Sequence, residues 1–203
     1  MHTNPIPSPS LPPSLSPSLS LGDMMGEKLM RSYFLPWLVG MPAETSLAMC
    51  SLAMGGVLER LPTLRVCFAH GGGAFPATLG RIEHGWAVRP DLCQSHATIS
   101  PGTLASTGRM WVDSLVHEPH ALADIVRIFG PDRVCLGSDY PFPLGSFTAE
   151  SGGTDYVPLE LFDVMASRTA EWGSGWAHGG DIREKVLGGA ALQFLDKSAS
   201  HFR

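Results

Sequence analysis

Two stretches of this 203-residue chain run from β-branched and apolar residues straight into a group that can do chemistry. Val66-Cys67-Phe68-Ala69 leads to His70, and Gly71-Gly72-Gly73 follows at once. Val134-Cys135-Leu136-Gly137-Ser138 leads to Asp139, followed by Tyr140-Pro141-Phe142-Pro143. An α/β barrel presents catalytic groups in this way, with a buried strand ending at a polar side chain on its C-terminal rim. The three glycines let the backbone turn sharply and approach a ligand closely. An imidazole and a carboxylate at two such rims are what a metal-dependent hydrolase or decarboxylase needs. Each also has a purely structural alternative: a histidine hydrogen-bonded at a strand end, and a turn aspartate ahead of Pro141.

Weaker candidates surround these two. His117, Glu118 and His120 suggest a metal site, but the H-E-P-H spacing is not H-E-x-x-H, and Pro119 breaks the helical arrangement such a pair of imidazoles requires. His117 follows Asp113 and Ser114 off a strand, so a place at the rim stays open. Arg81 and Arg89, with His84 between them, could grip a carboxylate bidentately, or could simply be solvated helix arginines. Trp37, in Leu35-Pro36-Trp37, fits a core position as well as a stacking platform.

The elements that must position these groups follow a β/α rhythm. A helix is expected over Glu44–Arg60, a strand over Arg65–Ala69, and a helix over Pro76–Val88 with Leu79, Ile82 and Trp86 on one face. A short strand at Met110–Val112 precedes a helix that Pro119 opens and Gly130 closes, with Leu122, Ile125, Val126 and Phe129 at helical spacing. Arg133–Leu136 reads as the third strand, and Ile182, Val186, Ala190 and Leu195 mark a last helix. Alternating strands and helices imply a parallel sheet. Three strands do not close an eight-stranded barrel. Residues 3–21 hold six prolines and six serines, so residues 1–22 read as a disordered tail ahead of one domain over 23–203. Residues 147–180 show no regular period and read as an irregular insertion.

Composition narrows the class of partner. A net charge of −5 argues against nucleic acid and anionic membrane surfaces. No apolar run approaches the roughly 18 residues of a membrane span, and prolines interrupt any signal-like segment near the N-terminus. The four cysteines form no C-x-x-C pair; Cys67 and Cys135 lie in apolar strand runs, where buried free thiols are ordinary. A reduced, cytosolic protein is expected.

At these residues the chain resembles the aminocarboxymuconate-semialdehyde decarboxylase family of the amidohydrolase superfamily. The matching blocks are Leu35 through Thr45, Val66 through Pro76, Gly80-Arg81-Ile82, His84-Gly85, Arg89 through Cys93, Leu115-Val116-His117 and Leu136 through Gly145. They span about residues 23–146 and, more weakly, 181–195. The resemblance implies a zinc-dependent carboxy-lyase of tryptophan catabolism, built as a (β/α)8 barrel and working as a homodimer on a small carboxylate substrate. It implies Asp139 as a zinc ligand and His70 as the base that activates the metal-bound water. It further implies Arg81 and Arg89 as arginines given to the partner subunit's site, and Trp37 and Phe142 as pocket aromatics. No H-x-H occurs in the sequence, and Ser20 stands where the family's third zinc histidine falls. A partial barrel of the amidohydrolase type, without the N-terminal strands, is therefore expected. Its alternative function is that of a catalytically inactive form pairing with full-length subunits.

Overall fold

The computed structural model describes residue 30, residues 32–145 and residues 179–197. The expected tail over 1–22 lies outside the described residues, as does the insertion over 147–180 except for Gly179 and Gly180, which open a helix.

The sheet forms from three short, largely apolar runs. β1 (Cys67–Phe68), β2 (Trp111–Asp113) and β3 (Val134–Cys135) are parallel, in the order β1-β2-β3. Phe68 pairs with Val112 and Val112 with Val134, while Cys67 faces Trp111 and Asp113 faces Cys135. Paired residues point to the same side, so the register sorts the sheet into two faces. Phe68, Val112 and Val134 turn to the helical layer and join Met49, Phe75, Leu104, Leu122, Ile125 and Phe129 in one core. Cys67, Trp111, Asp113 and Cys135 share the other face. β1 and β3 are shorter than the sequence suggested, and β2 keeps its expected length but runs one residue later, ending at Asp113 rather than Val112.

Around the sheet run α1 (Met41–Met54), α2 (Val57–Arg60), α3 (Phe75–Val88), α4 (Pro90–Cys93), α5 (Pro101–Ser106), α6 (Pro119–Phe129), α7 (Gly179–Glu184) and α8 (Ala190–Phe194). A π-helical turn over Pro36–Gly40 leads into α1, and another over Lys185–Gly189 joins α7 to α8. The single helix expected over Glu44–Arg60 is two, because Gly55-Gly56 interrupts it. Gly56 holds φ at 69°, and a Cβ there would lie 2.0 Å from the His96 carbonyl oxygen, so the chain must turn where only glycine fits. Helix α5 had no apolar period to announce it, yet its start carries a local signal: Pro101 follows Ser100, whose Oγ accepts the Thr103 N–H at 3.2 Å. Helix α6 begins and ends where Pro119 and Gly130 dictate, with the Glu118 carboxylate accepting the Ala121 N–H at 2.9 Å. Its Leu122, Ile125, Val126 and Phe129 are all buried.

On the opposite face the C-terminal helices supply cover. Trp111 and Cys135 pack with Ala190, and the Phe194 ring meets Trp111 edge-on at 5.6 Å. The Arg133 guanidinium lies 4.4 Å above the same indole. Beside β3, the Leu136 N–H donates to the Val186 carbonyl at 3.0 Å. Cys135 is buried, as the sequence suggested, but Cys67 is exposed. Its side chain points from the edge strand away from the helical core. Among the described residues, no helix is long and apolar enough to cross a membrane.

Candidate active site

Each strand gives way to a residue held in a conformation that side chains usually avoid. After β1, His70 has φ of 58°; after β2, His117 has φ of 58°; after β3, Asp139 has φ of 54°. Left-handed backbone at a non-glycine residue costs about 1–2 kcal/mol, and such outliers gather where function requires them. These three residues line one cavity of about 360 Å³. His70 and Asp139, the two groups singled out from the sequence, thus meet at one rim, and His117 joins them.

The His70 Nε2 and an Asp139 carboxylate oxygen stand 3.8 Å apart, and both side chains are partly exposed. That distance is too long for a direct hydrogen bond. Both polar atoms face the same small volume, where a ligand could engage each. The turn after Asp139 is closed by the Phe142 N–H donating to the Asp139 carbonyl at 2.9 Å. The peptide between Tyr140 and Pro141 is cis.

The walls are apolar and aromatic. Trp37 and Phe34 stack at 4.4 Å with their rings 11° from parallel, and Phe142 lines the cavity with them. Trp37 and Phe142 both line the cavity. Arg81 and Arg89 do not join them. Both are exposed, Arg81 on α3 and Arg89 just beyond it, and neither lines the cavity. Arg89 is instead engaged twice with Asp91, at 2.9 and 2.7 Å, a short-range pairing that the adjacent Pro90 turn brings about.

Two residues that matter to this geometry were not singled out from the sequence. The Asp113 carboxylate accepts the Gly71 N–H at 2.8 Å and the Leu115 N–H at 3.1 Å. Burial pushes its pKa up from the ordinary carboxylate value, opposed by the N–H groups of Gly71, Leu115 and His70. Ser114 is fully buried, and its Oγ accepts the Gly137 N–H at 3.2 Å. A signal existed: Trp111-Val112-Asp113 repeats the pattern of an apolar run ending in a polar group seen before His70 and Asp139.

Two of the three glycines after His70 leave no room for a side chain. A Cβ on Gly71 would lie 2.3 Å from Val116 Cγ1, and one on Gly73 would lie 2.3 Å from the Pro42 carbonyl oxygen, both at φ near 60°. Their role is close packing of backbone on neighbouring elements. Among the described residues no three His, Cys, Asp or Glu side chains converge as a metal site.

A parallel α/β sheet with an imidazole and a carboxylate at its strand ends, facing one cavity, is the arrangement of α/β-barrel enzymes. The chain belongs to that family, whose model, described as amidohydrolase, matches residues 2–197. More specifically, it is 48% identical over 173 residues to the 2-amino-3-carboxymuconate-6-semialdehyde decarboxylase of Dictyostelium discoideum, a match covering 85% of this chain and 42% of that protein. The chain thus spans less than half the length of this relative. Its fold is similar to 5-carboxyvanillate decarboxylase LigW from Sphingomonas paucimobilis, at a TM-score of 0.62 and 20% identity, covering 85% of this chain and 46% of that one. It is also similar to the Novosphingobium aromaticivorans 5-carboxyvanillate decarboxylase determined with bound manganese, at a TM-score of 0.55 and 19% identity, covering 76% of this chain and 40% of that one.

Proposed function

We propose that the chain carries part of the site of a metal-dependent carboxy-lyase. The reaction is decarboxylation of 2-amino-3-carboxymuconate 6-semialdehyde to aminomuconate semialdehyde in tryptophan catabolism by the kynurenine route, which limits the supply of quinolinate and of NAD. The observation that carries this reading is the meeting of His70 and Asp139, 3.8 Å apart, in a cavity walled by stacked Phe34 and Trp37. A flat, conjugated carboxylate suits such a wall, and the His70 imidazole that lines the cavity can give or take a proton at Nε2. The exposed Arg81 and Arg89 stand away from their own cavity, where a homodimer partner could receive them. We read the three-stranded sheet as part of a (β/α)8 barrel and place the protein in the cytosol, as the resemblance implies.

Zinc is the metal the resemblance implies, and the described residues do not fit it. A tightly held zinc takes three or four converging N, O or S ligands; here Asp139 has His70 opposite and no third donor close by among the described residues. The same donor set favours a second reading, in which this chain is catalytically inactive and pairs with full-length subunits.

Metal content and turnover test these readings together. Purified chain is expected to hold well under one equivalent of zinc and to show no decarboxylation. Stoichiometric zinc by atomic absorption, with turnover abolished by His70→Ala, would overturn the inactive reading. Titration with muconate, a conjugated dicarboxylate, should change the tryptophan fluorescence of the chain and not that of Trp37→Phe. Failure of muconate to alter either signal would remove the decarboxylase reading itself.

A further inference from the structure

We propose that Asp113 and Ser114, at the end of β2, are positioning residues that hold His70 and Asp139 in place from the strand between them. The inference rests on the decarboxylase reading of the cavity. His70 and Asp139 both occupy left-handed backbone, a conformation that non-glycine residues keep only when their surroundings impose it. The loop after His70 is rich in glycine and cannot impose it alone; the turn after Asp139 closes on the Asp139 carbonyl but leaves the approach from β3, at Gly137, to be held from outside.

The imposing contacts come from β2. It pairs with β1 on one side and β3 on the other, so its last residues lie beside both strand exits. One Asp113 oxygen accepts the N–H of Gly71, the residue next to His70, and also the N–H of Leu115. That single atom ties the exit of β1 to the exit of β2. Ser114 Oγ accepts the N–H of Gly137, two residues before Asp139, and so ties the exit of β3 to the same point.

Packing reinforces both ties. A Cβ on Gly137 would lie 2.7 Å from the Asp113 Cβ, so the β3 exit rests directly on the Asp113 side chain. Neither Asp113 nor Ser114 lines the cavity. They act on backbone N–H groups and not on a ligand. A hydrogen bond to a buried carboxylate is among the stronger kinds, so loss of the Asp113 tie should free its loop measurably.

The test is amide exchange and side-chain NMR on the purified chain, which needs no turnover. In Asp113→Ala the Gly71 amide should exchange about tenfold faster or more, and the His70 ring signals should shift. Amides of Leu122 and Ile125 in α6 should keep their protection. Asp113→Asn, which retains an acceptor oxygen without the charge, should restore most of the Gly71 protection. In Ser114→Ala the Gly137 amide should lose protection and the Asp139 carboxyl signal should move, with Ser114→Thr restoring both. His70 ring signals that stay fixed while the Gly71 amide is freed would overturn the proposal. Equal loss of protection at Leu122 and Ile125 would also overturn it, because the residues would then serve general stability. Should an alanine variant not fold, the asparagine and threonine variants decide: a partial loss of Gly71 or Gly137 protection with a matching shift of the His70 ring or Asp139 carboxyl signals supports the ties, and the same loss with those signals fixed refutes them. If wild-type chain fails to respond to muconate, the decarboxylase reading falls while these amide measurements still decide the ties.

Discussion

The same substitution should act with opposite signs at Gly73 and Gly80. Gly73 has φ 60° and ψ −128°, a region that side chains rarely enter at a cost of about 1–3 kcal/mol. An added Cβ would stand 2.3 Å from the Pro42 carbonyl oxygen and 2.9 Å from Thr45 Cβ. Relieving that overlap means moving the carbonyl that accepts the Ala74 N–H at 3.0 Å, a bond worth about 0.5–1.5 kcal/mol net. Gly73→Ala should therefore destabilise by about 2–4 kcal/mol. Gly80 lies exposed inside α3, with no atom within 4 Å of an added Cβ. There alanine removes only backbone freedom, and Gly80→Ala should stabilise by about 0.5–1 kcal/mol. Urea unfolding followed by tryptophan fluorescence gives both values. With a slope of about 1–3 kcal/mol per molar urea, the two midpoints should differ by about 1 M or more. A Gly73→Ala midpoint at or above wild type would refute the argument, as would a Gly80→Ala midpoint well below it.

His117→Gly should raise stability by about 1 kcal/mol by relieving the left-handed backbone, while His117→Ala should not, and thermal melts separate the two. Leu122, fully buried in α6, should cost about 2–5 kcal/mol as alanine, read from the shift in urea midpoint. Asp113 makes stability depend on pH. Its folded pKa lies above its unfolded value, so its contribution is present below the ordinary carboxylate value near 3.9 and is lost as pH climbs through the raised one. Asp113→Asn should flatten that segment of the stability curve; an unchanged slope would contradict the assignment.

Local chemistry made several features legible in the residues alone. Pro119 and Gly130 bound α6 because a proline's missing N–H is harmless only in the first turn, and because glycine tolerates a turn at φ 83°. His70 and Asp139 stand out because apolar, β-branched residues pack into a strand and the first polar group after them must emerge at its end. These signals act within a few residues of chain. The interruption of the expected long helix at Gly55-Gly56 depended on a neighbour, the His96 carbonyl, that only folding brings near. Arg81 and Arg89 could have faced the cavity or the solvent, since helical spacing fixes a relative face and not what it faces. Cys67 and Cys135 read alike in sequence, yet one is exposed and the other buried: both stand on edge strands, but only Cys135 lies beneath the C-terminal helices. The Asp113 carboxylate meets the Gly71 N–H across 42 positions of chain. Residue types set what each group can donate, accept or pack against; strand adjacency, which only the assembled sheet supplies, decided which groups met.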